Sequence, residues 1–429
     1  MNVYSSKIKG NSVFDKNTLM KRLNDFSGNA SFYSYFLKRK RIEKGMKLED
    51  VSSGICSISY LSRIENNQSK PDEDSLKLLF ERLDLNYEEI KEKREHNVFE
   101  GLVKKELSQS KGDVLNEINS IIISNAYTSI ELDLLVSYSS LLDKNYDETR
   151  FILSKQEVNL SLFNNYEMIF YIYLFCRYLH ETNQNLRAYS QVKVLNSINL
   201  NNEFFKAVIF DISIDIAFEM GEYDQVVRFF YLLNQNEYNF YFNKKITLHK
   251  LQTLVANAKF NLSENLEEFD KIKKNLGKDD NTNTIYNYYL ALAYYKNGLF
   301  KKSLEILKDI LDYPKALALF AYLTKKTASG EYYHLFNEKY QTYNFGKYDY
   351  LYENMCEYVF LYLKSESNIH LFNYLKQRLI SHNSLFYDYI IKDIALNELI
   401  NLGIKTSKYK ETLKYISEEQ AKSLMVEKK

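Results

Sequence analysis

Apolar positions recur every three to four residues along most of this 429-residue chain, and short polar turns interrupt them. Near the N-terminus, Phe36, Leu37, Ile42 and Met46 predict the apolar stripe of a first helix, which Gly45 ends because it can take a positive φ. Leu48 and Val51 carry the pattern into a second helix, and Gly54 marks a turn. Ser57 is placed to cap a third helix, whose buried face is predicted from Ile58, Leu61 and Ile64 at i, i+3 and i+6. Pro71 and the acidic residues of 72–74 open a fourth helix, with Leu76, Leu79, Phe80 and Leu83 on its inner stripe.

From Tyr87-Glu88-Glu89-Ile90 onward, a charged connecting helix is expected. Beyond about residue 115, amphipathic helices alternate with polar turns such as Asp143-Lys144-Asn145-Tyr146, Met220-Gly221-Glu222-Tyr223, Asn297-Gly298-Leu299-Phe300 and Ser365-Glu366-Ser367-Asn368. Successive turns lie roughly 32–40 residues apart, the period of helix pairs stacked into a solenoid. The predicted fold is all-α. It has a polar extension at 1–33, a compact head at 34–85, a linker helix at 86–114 and a helical repeat body at 115–429. Two prolines and 12 glycines are too few for a strand-rich chain, which agrees.

Charge adds to the picture. The net charge is only +1, yet residues 1–70 carry 13 Lys and Arg against six Asp and Glu, so a basic N-terminal stretch reaching into the head precedes an acidic remainder. That asymmetry fits a head that meets nucleic acid. The three cysteines, Cys56, Cys176 and Cys356, are far apart and suggest neither a disulfide framework nor a zinc site, which suits a reducing cytoplasm. The polar N-terminus does not read as a signal peptide, and no apolar run has the roughly 18 residues of a membrane span.

The segment Gly45-Met46, Tyr60-Leu61-Ser62-Arg63-Ile64-Glu65-Asn66 and Lys70-Pro71 resembles the Xre/Cro-repressor type of helix-turn-helix over residues 34–90. It departs from that pattern at Lys47-Leu48, where a Thr-Gln pair often stands. The resemblance implies that the third helix enters the major groove with its N-terminal residues nearest the bases. Ser57, Ser59 and Tyr60 are then base-edge candidates, and Arg63 could reach a base or a phosphate. Lys38, Arg39 and Lys70 are phosphate contacts that position rather than specify. The competing structural roles are packing for Tyr60 and an ion pair with Glu65 or Glu49 for Arg63. Glu65 itself is expected to brace the module.

In the body, Ala293-Tyr294, Gly298-Leu299-Phe300, Ser303 and Leu307 resemble a tetratricopeptide repeat, as do Ala217, Gly221-Glu222-Tyr223 and Val226. Projected onto the concave side of such a solenoid, Asp211, Asp215, Tyr288, Tyr295 and Lys296 line a groove. His249, Gln252, Asn354, Tyr173, Tyr178 and Glu357 follow with a looser register. A helix-turn-helix head on this kind of body resembles the Rgg, PlcR and PrgX group of peptide-pheromone regulators of low-GC Gram-positive bacteria. That resemblance implies a cytoplasmic, homodimeric transcription factor that binds a DNA operator and is controlled by a short signalling peptide in the groove.

No enzyme motif competes. GxxxxGK[ST], HExxH and GxSxG are all absent from the sequence, and its six histidines are scattered without ligand spacing. No cofactor or metal is expected. Two other readings stay open: a repeat scaffold that binds a protein partner, and a mobile-element repressor whose body only dimerises.

Overall fold

The computed structural model describes residues 30–66, 68–95, 97–108, 110–123, 129–197, 200, 202–258, 262–275, 280–380 and 387–417. The extension at 1–33 therefore lies, through residue 29, outside the described residues. Among the described residues every regular element is helical. The fold is all-α, a helix-turn-helix head followed by a tetratricopeptide-like solenoid.

The head begins with α1 (Ala30–Glu43), α2 (Leu48–Ser52), α3 (Ile58–Glu65), α4 (Glu73–Arg82) and α5 (Tyr87–Glu95). Its core gathers Tyr33, Phe36, Leu37, Val51, Leu61, Ile64, Leu76, Leu79, Phe80, Leu83 and Ile90. Tyr87 packs against this core, so the first turn and a half of α5 belongs to the head rather than to a free connector. The local signals act as expected. Gly45 and Gly54 take φ of +65° and +72°. Ser57 caps α3 by accepting from Tyr60 N at 3.1 Å, and Asp72 caps α4 by accepting from Ser75 N at 2.8 Å. Two positions of the predicted stripes differ. Ile42 is half-exposed near the end of α1, and Ile58 is 48 % exposed at the start of α3.

Two compact units partition the chain. One comprises 1–178 with 193–209 and 240–242; the other comprises 179–192, 210–239 and 243–429. Within the first, the head is followed by α6 (Val98–Ser108), α7 (Lys111–Ile123), α8 (Ser129–Leu142), α9 (Tyr146–Glu157) and most of α10 (Asn165–Glu181). The helices α6 and α7, and α8 and α9, pack as pairs. Here α1 is docked rather than tethered. Ser129 donates to Glu43 through its N–H at 3.1 Å and its hydroxyl at 2.9 Å. Arg39 meets Glu167 of α10 in a two-point pair at 2.6 and 2.9 Å.

Segments of α11 (Asn185–Asn196) and α12 (Glu203–Met220) fall in the second unit. It continues through α13 (Tyr223–Gln235), α14 (Asn243–Asn257), α15 (Leu262–Asn275), α16 (Asp280–Lys296), α17 (Phe300–Leu307), α18 (Pro314–Thr327), α19 (Gly330–Thr342), α20 (Tyr350–Leu363), α21 (Asn368–Tyr374) and α22 (Tyr389–Lys405). A final helical stretch runs over 409–417. First helices of successive pairs stack on one another, α14 on α16, α18 on α20 and α20 on α22. That is the neighbour-to-neighbour packing of a repeat array. One set of contacts breaks this rule. Asn183 accepts from Tyr387 N at 2.9 Å and donates to Tyr348 O at 2.9 Å, while Asn185 donates to Tyr387 O at 2.8 Å. Beside them, Tyr389 lies over Gly221 and edge-on to Tyr223.

Candidate nucleic-acid interface

The recognition helix α3 is held from behind. Leu61 and Ile64 are fully buried in the head core. Glu65, also buried, receives Arg41 in a bidentate pair, with Nε and Nη2 each at 2.7 Å. Arg41 also donates to Met46 O at 3.0 Å, which ties the end of α1 to the approach to α2. Arg82 of α4 donates to Asp50 O and Ser53 O at 3.0 and 3.1 Å and so fixes the turn between α2 and α3. Lys44 pairs with Asp84 at 2.8 Å. These bonds orient α3 without using its outer face. The bracing role expected of Glu65 is its observed geometry.

The outer face carries short hydroxyls and one guanidinium. Ser57 and Ser59 are exposed, although the Ser57 hydroxyl is engaged in the cap. Tyr60 divides its surface: part of the ring packs against the head core, and the remainder is open. Arg63 is exposed, with its guanidinium 5.8 Å from the Tyr60 ring centre. Among the described residues Arg63 forms no ion pair with Glu65 or Glu49. Lys38 donates to Asn66 Oδ1 at 3.1 Å at the end of α3, and Lys70, exposed, follows five residues beyond that helix, its carbonyl 3.5 Å from the Tyr60 hydroxyl.

Arg39 does not share this surface. It is 2 % exposed and points into the body, where Glu167 is fully buried. Burial would lower the Arg39 pKa, but Glu167 and Glu131 outweigh it and hold the guanidinium charged. Burial lifts the Glu167 carboxyl to about 7, with Arg39 opposing and Glu131 adding to the rise. The phosphate role expected for Arg39 is therefore corrected to an internal tie between head and body. A run of four basic residues on one helix turns its side chains to different faces, and position 39 faces inward.

The groove candidates are similarly engaged. In the second unit, His249 is 1 % exposed and faces Asp211 Oδ1 at 2.8 Å through Nε2 and Gln252 Oε1 at 2.9 Å through Nδ1. Gln252 passes its amide hydrogens to Asp215 at 2.9 Å and to the Tyr289 hydroxyl at 3.0 Å, and Lys245 donates to Asp211 at 2.6 Å. Burial would raise the Asp211 carboxyl, but Lys245 and His249 override it and hold it at about 2. Burial would lower the His249 pKa, but Asp215 and Asp211 outweigh it and raise it.

Asp211, His249 and Gln252 are thus buried members of one satisfied network, not open groove walls. Tyr288 is buried edge-on to Tyr313 at 5.2 Å, and Asn354 is bonded to Tyr350 O at 2.6 Å and to the Tyr374 hydroxyl at 3.0 Å. Tyr173 and Tyr178 are buried in the first unit, and Glu357 accepts from the Tyr340 hydroxyl. Asp215, Tyr295 and Lys296 keep partial exposure. Even so, Lys296 Nζ sits 3.4 Å from the Tyr223 ring centre and donates to Val255 O at 3.2 Å.

Pattern reading missed Ile58 as a surface residue of α3, because helical spacing from Leu61 and Ile64 extends the buried stripe one turn too far. It also missed the Arg41–Glu65 brace, for which only the basic run at 38–41 was a signal.

Comparison with known proteins bears on the head first. Residues 37–90 match the family model described as helix-turn-helix. No curated protein matches the chain. Among solved structures, the chain is similar to Bacillus thuringiensis PlcR in complex with the peptide PapR7 and DNA. Identity is 14 %, with coverage of 91 % of this chain and 98 % of that one. The TM-score is 0.21, too low for a residue-by-residue correspondence. Matched sequence and capped, braced geometry agree over the same residues: the N-terminal head of this chain is a helix-turn-helix domain of the Xre type.

Proposed function

We propose that this chain is a non-enzymatic transcriptional regulator that binds a double-stranded DNA operator through the outer face of α3. The observation that carries this reading is that face itself. Ser59, Tyr60 and Arg63 stand on a helix locked from behind by Arg41–Glu65, at the place where this class of domain meets the major groove. Lys38 and Lys70 flank it as phosphate contacts.

We further propose that the chain works in the cytoplasm as a homodimer, with two heads reading half-sites about 34–36 Å apart. A short peptide taken up by the repeat body controls it. The peptide part is supported by the resemblance of the whole arrangement to the pheromone regulators. Asp215, Tyr295 and Lys296, the part-exposed groove candidates, would meet the peptide first. Such a ligand acts only by its difference in affinity between two states of the body.

Fluorescence anisotropy of a labelled duplex from the gene's own upstream region, at two salt concentrations, tests the reading. Saturable, sequence-selective binding that weakens with salt is expected. Arg63→Ala should then bind more weakly by roughly fivefold or more, from a loss of about 1–3 kcal/mol. Weak binding, equal for unrelated DNA, would turn the search toward a protein partner of the repeats.

A further inference from the structure

We propose that Ile58 is a specificity-determining residue that reads the 5-methyl group of a thymine in the operator. The assignment rests on the DNA-binding reading and deepens it. Ile58 is the first residue of α3 and is 48 % exposed, whereas Leu61 and Ile64 on the same helix are fully buried. It lies beside Ser59 and one turn before Ser62, on the flank that continues into the outer face.

The side chains around it narrow what this end of the helix can recognise. Ser57 spends its hydroxyl on the Tyr60 N–H, and Ser59 and Ser62 are short. Tyr60 is partly held in the head core. Ile58 is therefore the long side chain available at the N-terminal turn, and it offers only methyl and methylene groups. In the major groove the thymine 5-methyl is the base feature that an aliphatic side chain distinguishes.

The test replaces each thymine of the upstream duplex, one at a time, by deoxyuridine, which removes only the methyl. For the wild-type chain, one thymine in a half-site should show a loss of about fourfold in affinity, the worth of one buried methyl. Ile58→Ala should bind the natural duplex more weakly by a similar factor and be indifferent to deoxyuridine at that position. Other thymines should be unaffected, and Ile58→Val should keep the methyl sensitivity. Ile58→Ala that binds as tightly as wild type, or that keeps the same deoxyuridine loss, overturns the assignment while leaving DNA binding intact. Selective wild-type binding with no methyl-sensitive position does the same. A wild-type chain with no selective binding overturns the DNA-binding reading, and the assignment with it.

Discussion

Gly221 and Gly298 close corresponding turns of the second unit, with φ of +76° and +72°. Other turns hold the same left-handed backbone without glycine, at Lys144, Asn183, Ser365 and Ser407. The dihedral alone therefore does not demand glycine at 221. Space does. A Cβ on Gly221 would stand 2.5 Å from Tyr389 Cγ and 2.6 Å from Cδ2, whereas nothing lies within 4 Å of one on Gly298.

Gly298→Ala should then meet only the left-handed cost, about 1–2 kcal/mol, part of which is offset by a stiffer unfolded chain. Gly221→Ala should add an overpacking term of about 1–3 kcal/mol. For a unit of this size each kcal/mol moves the thermal midpoint by about 2–4 °C, so the two variants should differ by roughly 2–12 °C. Thermal unfolding followed by circular dichroism measures both. In a Tyr389→Ala background, Gly221→Ala should cost no more than Gly298→Ala does, a coupling readable as a double-mutant cycle. Equal midpoints for the two single variants would refute the steric argument.

Two further outcomes follow from the site geometry. Lys70→Ala should reduce the slope of log affinity against log salt by about one phosphate contact, whereas Arg39→Met should leave that slope unchanged and instead lower the unfolding midpoint. An Arg39→Met chain with native stability and a flattened slope would contradict the buried placement. The Asp211–His249 network predicts a pH dependence with a definite sign. The raised His249 pKa contributes stability below about 6.5 that is lost as pH rises through its folded value, and the depressed Asp211 contributes stability above about 3.9 that is lost as pH falls toward 2. Melting of the wild type should therefore weaken above pH 6.5, and His249→Gln should flatten that decline; an unchanged decline would exclude His249 as its source.

What could be read from the amino-acid sequence divides along contact distance. Gly45, Gly54, Ser57 and the residues at 71–74 act on neighbours within a few positions, so the head was legible down to its caps. Arg39 was not, because its partner is 128 residues away and nothing local separates an inward arginine from the outward lysine beside it. Ile58 failed for a related reason. A stripe inferred from periodicity has no edge, and on α3 the buried positions begin one turn after Ile58, at Leu61. The groove residues share one flaw: a register taken from two repeats places Asp211, His249 and Gln252 on the inner side, but says nothing of whether that side is open or filled by their bonds to one another.

The return of residues 387–389 to the turns at 183–185 and 221–223 has a thermodynamic consequence. In an open array each repeat answers only to its neighbours, so the ends can fray and terminal repeats can be trimmed at modest cost. Here the start of the last helix pair supplies partners to turns that lie roughly 165–205 residues earlier in the second unit. Releasing it exposes both ends of that unit at once. The unit should unfold in one cooperative transition rather than repeat by repeat, with no stable intermediate that has lost only its C-terminal pair. Its folding, in turn, must wait for the whole intervening chain to be in place before the seam can form.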